Sequence, residues 1–165
     1  MEKGNVSIYA GEGRGKSQAA IGRAVQTAEA GGRVVLIQFL KGKGLEGSDF
    51  LRRLEPEIKL FRFEKSDEIY EELTEERKQE EISNIRNGIN FAKKVLSTGE
   101  CDLLILDEVL GLVEKEIISV EEVKELLECR GSMDVILTGI YLSDEICVLA
   151  DEVSRIETLK FKVWE

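Results

Sequence analysis

Ala10-Gly-Glu-Gly-Arg-Gly-Lys-Ser17 sets three glycines and a Lys-Ser pair between two segments of different period. Before it, Val6-Ser-Ile-Tyr-Ala10 alternates as a strand does; after it, Ala20, Ile21, Ala24, Val25 and Ala28 recur at the spacing of one helix face. A strand, a glycine loop and a helix in that order form a phosphate-binding P-loop. The glycines let the backbone curl until successive N–H groups face an anion at the positive end of the helix, Lys16 reaches the phosphates, and Ser17 offers a hydroxyl to Mg²⁺. The strict pattern G-x-x-x-x-G-K-[ST] has glycine where this chain has Ala10. The competing reading is a glycine-rich turn that binds nothing, but such turns rarely end in Gly-Lys-Ser at a helix start. The predicted phosphate-contacting set is Gly11, Glu12, Gly13, Arg14, Gly15, Lys16, Ser17 and Gln18.

About ninety residues downstream, Asp102-Leu-Leu-Ile-Leu-Asp107-Glu108 is an apolar run ending in two carboxylates. It reads as a buried parallel strand that delivers acids to the C-terminal edge of a sheet, and it resembles a Walker B strand. Taken alone, acids after a strand are as often solvated loop residues or helix caps. Following a phosphate loop, they predict a metal site in which Asp107 and Glu108 hold Mg²⁺, directly or through water, opposite Ser17.

Strands and helices alternate along the rest of the chain. Arg33 to Leu40 reads as a second strand, Gly42 to Asp49 as a glycine-rich loop able to close over a ligand, Phe50 to Leu54 as a short helical piece, and Ile58 to Phe63 as a third strand. A long polar helix from Thr74 to Ser97 stops at Gly99. Ser119-Val-Glu-Glu122 is a capping box that starts a helix reaching Cys129. Asp134 to Gly139 is another strand, Ser143 caps a short helix ending near Ala150, and Val153 to Val163 supplies one or two last strands. The predicted fold is α/β, a three-layer sandwich with a mostly parallel sheet, formed by one domain over residues 1–165.

Composition narrows the chemistry. With no histidine, His-based zinc sites, Ser-His or Cys-His catalytic pairs and axial histidine ligation are excluded. Cys101, Cys129 and Cys147 lack metal-ligand spacing and read as buried thiols in a reducing compartment. No apolar stretch is long enough to span a membrane and no leader precedes the first strand, which predicts a cytoplasmic protein. Residues 1–65 hold 12 Lys and Arg against 8 acids, a net of +4, whereas residues 66–165 hold 11 against 25, a net of −14. The anion site therefore belongs to the first third, where Arg14, Lys16, Lys41 and Lys43 form a basic cleft suited to a nucleotide. The overall charge of −10 disfavours a nucleic-acid partner, and the acidic second half reads as solvated helix surface.

Several strings resemble the ATP:corrinoid adenosyltransferases of the BtuR/CobO/CobP type. Tyr9 to Ser17 is similar to that family's Y-T-G-x-G-K-G-K-T loop, Gln38-Phe-Leu-Lys-Gly42 to Q-F-L-K-G, Leu106-Asp107-Glu108 to L-D-E, Leu137-Thr138-Gly139 to the start of L-T-G-R, and Ala150-Asp-Glu-Val153 to A-D-x-V. The family also lacks glycine at the position of Ala10. The resemblance implies a P-loop NTPase fold of the RecA-like type and the activity of a cob(I)yrinic acid a,c-diamide adenosyltransferase. In that reaction Co(I) of a corrinoid attacks the 5′ carbon of ATP and triphosphate leaves intact. The protein would position ATP and corrinoid, neutralise the triphosphate through loop amides, Lys16 and Mg²⁺, and exclude water from the cobalt. On this reading Lys16 and Glu108 carry the reaction.

On the corrinoid side the chain departs from the family. Leu60-Phe-Arg-Phe-Glu-Lys65 stands where the family has G-F-T-W, so Phe61 and Phe63 are the candidates for corrin contact, with alternating core residues as the bland alternative. Ile140 replaces the arginine of T-G-R, and Trp164 is expected to cover a sheet edge. Two further readings stay open, another small P-loop ATPase or nucleoside kinase and a non-enzymatic nucleotide-sensing module. The expected partners are small molecules, with no nucleic acid or membrane, and a homodimer is one possible assembly.

Overall fold

The computed structural model describes residues 2–40, 52–63 and 68–163. Six strands, β1 (Val6–Ala10), β2 (Val34–Gln38), β3 (Ile58–Arg62), β4 (Leu103–Asp107), β5 (Asp134–Gly139) and β6 (Glu152–Arg155), form one sheet in the order β3-β2-β4-β5-β1-β6. Every neighbouring pair is parallel. All five residues of β1, β2 and β4 are buried, as covering both faces of a parallel sheet requires, and this is why those segments read as near-continuous apolar runs.

Helix α1 (Lys16–Glu29) covers one face, where Ala20 and Ala24 meet Tyr9, Leu36, Ile105 and Ile136. Helices α2 (Glu75–Thr98), α3 (Val109–Glu114), α4 (Val120–Glu128) and α5 (Asp144–Cys147) cover the other, contributing Ile85, Leu110, Val123 and Ile146 to the larger core. The three-layer α/β sandwich read from the sequence is the observed arrangement. Its local signals hold as well. The Thr74 hydroxyl caps α2 by accepting from the Arg77 amide, Gly99 ends that helix at φ 64°, and Ser119 and Glu122 form both halves of a capping box on α4.

Four expectations change. Helix α3 follows directly on the acidic strand, where the sequence suggested no element. The last helix stops at Cys147 rather than near Ala150, and the final stretch yields a single strand, β6, with residues 156–163 continuing outside the sheet. Of the helical piece expected over Phe50 to Leu54, residue 52 is helical and residues 53 and 54 are turn. Phe50, the Gly42 to Asp49 loop, Lys41, Lys43 and Trp164 lie outside the described residues. Of the thiols, Cys101 is buried, which pushes its pKa up to about 11, while Cys129 and Cys147 are half-buried. Among the described residues no helix is long and apolar enough to cross a membrane.

Two helical glycines separate propensity from packing. A Cβ at Gly22 on α1 would meet nothing within 4 Å, whereas one at buried Gly88 on α2 would lie 2.7 Å from both Phe39 and Phe63. Gly22→Ala should therefore raise stability by about 0.5–1 kcal/mol. Gly88→Ala gains the same propensity but suffers overpacking of about 1–3 kcal/mol, so it should lower stability, as urea unfolding of the two variants will read.

Candidate functional site

The phosphate loop joins β1 to α1 at the C-terminal edge of the sheet. Gly11 and Gly15 adopt φ of 117° and 105°, a region that only glycine enters without strain. Gly13 is required by space instead, because a Cβ there would sit 2.4 Å from the Ile156 carbonyl oxygen. Ala10 is the last residue of β1, in register with Gly139 on one side and Arg155 on the other. Its φ is not positive, so alanine serves where the strict motif has glycine. Gly15 is the N-cap of α1, which puts Lys16 and Ser17 in its first turn. Lys16 Nζ donates to the Gly13 carbonyl at 2.8 Å and so stays folded over the loop.

Ser17 points across the sheet edge. Its hydroxyl donates to both carboxylate oxygens of Asp107, at 2.9 and 3.2 Å. Strands β1 and β4 are not neighbours, since β5 runs between them, and from β5 the Thr138 hydroxyl donates to Asp107 Oδ1 at 2.6 Å. From β2, on the far side of β4, Gln38 Nε2 donates to Oδ2 at 3.3 Å. Asp107 is only 1% exposed, and Gln38 and Thr138 are wholly buried. A carboxylate taken out of water needs such compensation, and here donors from β2, β5 and α1 supply it. Glu108 follows in a left-handed conformation, φ 66°, as the N-cap of α3, and its amide donates to the Thr138 hydroxyl at 2.9 Å.

The outer side of the loop is built by the segment after β6. Gly13 N–H donates to the Ile156 carbonyl at 2.9 Å, Arg14 N–H to the Thr158 hydroxyl at 2.7 Å, and the Arg14 guanidinium lies 3.5 Å above the Phe161 ring. Between this segment, the loop and the end of β5 opens a cavity of about 730 Å³, whose lining includes Gly11, Glu12 and Gly13 of the loop, Ile140 and Tyr141 after β5, and Leu159.

Residues 2–165 match the model of the family described as ATP:corrinoid adenosyltransferase BtuR/CobO/CobP. The chain belongs to this family. It is 31% identical to the corrinoid adenosyltransferase CobA of Salmonella typhimurium and 29% identical to the corrinoid adenosyltransferase of Escherichia coli K12, in each case over 160 residues that make up 96% of this chain and 79% of the relative. Among solved structures, a KaiC-like protein of Pyrococcus horikoshii superposes with a TM-score of 0.55 at 18% identity, covering 96% of this chain and 75% of that one. That likeness concerns the fold alone, and with the loop and strand order above it agrees with a RecA-like P-loop fold.

The structure distributes the predicted site residues unevenly. Gly11 to Ser17 form the loop, Glu12 and Arg14 are exposed on it, and Gln18 is exposed in the first turn of α1. The acid that meets Ser17 is Asp107, where the sequence had pointed to Glu108 as well. Phe61 and Phe63 both stack on Phe91 of α2, with centroids 4.7 and 5.7 Å apart, and pack against the larger core. Two residues of the cluster escaped sequence reasoning as site residues, Gln38 and Thr138. The available signal was a polar residue closing an apolar strand at the same edge as the acidic one, a weak pattern because strand ends are commonly polar.

Thr138 bonds Asp107 and Glu108 at once, so Thr138→Val keeps the shape and removes both links. Leaving those buried groups short of partners costs about 1–3 kcal/mol. Urea unfolding without ligand should show a loss of that size, and an unchanged midpoint would mean that the hydroxyl bridge contributes nothing.

Proposed function

We propose that this chain transfers the 5′-deoxyadenosyl group of ATP to the cobalt of a reduced corrinoid, releasing intact triphosphate. Co(I) supplies the electron pair that forms the Co–C bond. The C5′–O bond breaks and its pair leaves on the triphosphate. Family membership supports the reaction, and the observation that carries it to particular residues is the loop with Lys16 folded over it beside the Ser17–Asp107 pair.

Because the nucleophile belongs to the substrate, the protein needs no residue that activates an acceptor. Asp107 suits that requirement, since a carboxylate already accepting from Ser17, Thr138 and Gln38 is arranged to hold positive charge rather than to remove a proton. Loop N–H groups other than those of Gly11, Gly13 and Arg14, which are bonded within the fold, would join Lys16 in binding the triphosphate and stabilise the charge that it gains as the leaving group. The donors at Ser17 and Asp107 are hard oxygens, and no group of three acidic, Cys or His side chains gathers among the described residues. That set fits Mg²⁺, which is usually held by one or two carboxylates together with substrate phosphates and water. Bound there, the ion would neutralise triphosphate charge, with Ser17 and Asp107 as its protein holders and Glu108 next to them. Ile140, Tyr141 and Leu159 supply the apolar part of the adjoining cavity's lining, beside Glu114, Arg155 and Glu157.

Mixing the protein with ATP and chemically reduced corrinoid should give a light-sensitive Co–C product and triphosphate. ADP and phosphate in their place would turn the assignment into a kinase or hydrolase. Lys16→Ala should fold normally yet bind ATP at least tenfold more weakly in calorimetric titration, as loss of charge-assisted bonds of about 1.5–3 kcal/mol each requires.

A further inference from the structure

Gln38 carries more than the packing of β2 requires. The four residues before it in the strand are Val34, Val35, Leu36 and Ile37, all buried, and an apolar side chain would continue that pattern into the core. Instead a wholly buried amide stands at the end of the strand nearest the phosphate loop, in register with Asp107. Its two ends behave differently. Nε2 must face Asp107, because an amide oxygen turned toward a carboxylate would repel it, and the bond made there is long, 3.3 Å. Oε1 is buried and has no hydrogen-bond partner among the described residues. Buried carbonyl oxygens of this kind are uncommon in native proteins because the lost hydration is not replaced, and their usual explanation is a partner that arrives with a ligand, an ion or a water.

The surroundings say what that partner is. Asp107 lies within bonding distance of Ser17, so Gln38 touches the acid that on the functional reading holds Mg²⁺. An amide oxygen beside such an acid matches the O–H groups of water bound to a hard cation, which keeps much of its hydration shell. We propose that Gln38 is a positioning residue for the nucleotide's Mg²⁺: Nε2 fixes the orientation of Asp107, and Oε1 accepts from a water of the hydrated ion. The inference rests on the reading of Ser17 and Asp107 as the metal holders. It makes the metal site a product of β2 as well as of the loop and the acidic strand. It also assigns a role to the first residue of the Gln38-Phe-Leu-Lys-Gly42 string.

The test compares ATP affinity with Mg²⁺ and with EDTA in wild type, Gln38→Met and Gln38→Asn, together with the ligand-free melting temperature of each. Methionine preserves the volume but offers neither the donor nor the acceptor. Asparagine keeps the amide one methylene short of its position. The expected result is that Gln38→Met, which loses one donor to Asp107 together with the unmatched Oε1, stays folded and binds ATP equally well in EDTA, while the gain in affinity conferred by Mg²⁺ falls at least tenfold. Gln38→Asn should lose the same gain, and it provides the answer if the methionine variant does not fold. A variant whose Mg²⁺ gain equals that of wild type overturns the role of Gln38. An equal loss with and without Mg²⁺, accompanied by a lower melting temperature, overturns it too and assigns the residue to packing. A wild type whose ATP affinity ignores Mg²⁺ would instead overturn the metal reading beneath it, so the two failures are told apart.

Discussion

One buried carboxylate organises this molecule's working edge. Asp107 is almost fully withdrawn from water at the end of β4, and an ionised acid in that position is tolerable only if donors surround it. Those donors arrive from α1, from β5 and from β2, so satisfying one side chain fixes the relative positions of three other elements. The sheet order makes this possible. With β5 between β1 and β4, a hydroxyl from the intervening strand bridges the gap, and Ser17 reaches over it from the start of the helix. The phosphate loop is thus held at its helical end by a polar junction rather than by apolar packing alone.

The chemistry proposed for this edge is economical in protein groups. A cobalt nucleophile and a triphosphate leaving group both come with the substrates, which is consistent with a chain that contains no histidine and whose described residues gather no larger cluster of metal-binding side chains. What remains for the protein is charge placement, orientation and the exclusion of water. The family relationship and the arrangement of loop and acid point in the same direction here. Phe61 and Phe63 stack on Phe91, which gives both rings a place in the packing of the sheet against α2.

Legibility in the sequence followed the locality of the cause. The loop, the three capped helices and the buried strands were readable because glycine conformation, capping hydroxyls and apolar runs act over a few residues. Helix α3 was not. It begins from Glu108 at positive φ, is short, and its Val109-Leu-Gly-Leu-Val113 stretch is apolar on every side because the core surrounds it, so no helical period can appear. The final stretch was over-read as strand. Its alternating residues continue past β6, but after Arg155 the backbone turns its hydrogen bonds toward the phosphate loop instead of along a ladder. Gln38 and Thr138 were hidden for a third reason. Their importance lies in converging on Asp107 from strands far apart in the chain, and no local pattern encodes convergence.

The seam between the loop and the segment after β6 also sets an order of events during synthesis. Arg14 and Thr158 are bonded across 144 positions, and Gly13 depends on Ile156 in the same way. Contacts between such distant parts of a chain close late, because the intervening length must first be made and brought together. A nascent chain emerging from the ribosome can form β1 and α1 early, yet its glycine loop stays without an outer wall until nearly every other element exists. The outer wall of the phosphate loop therefore arrives only with the completed sheet.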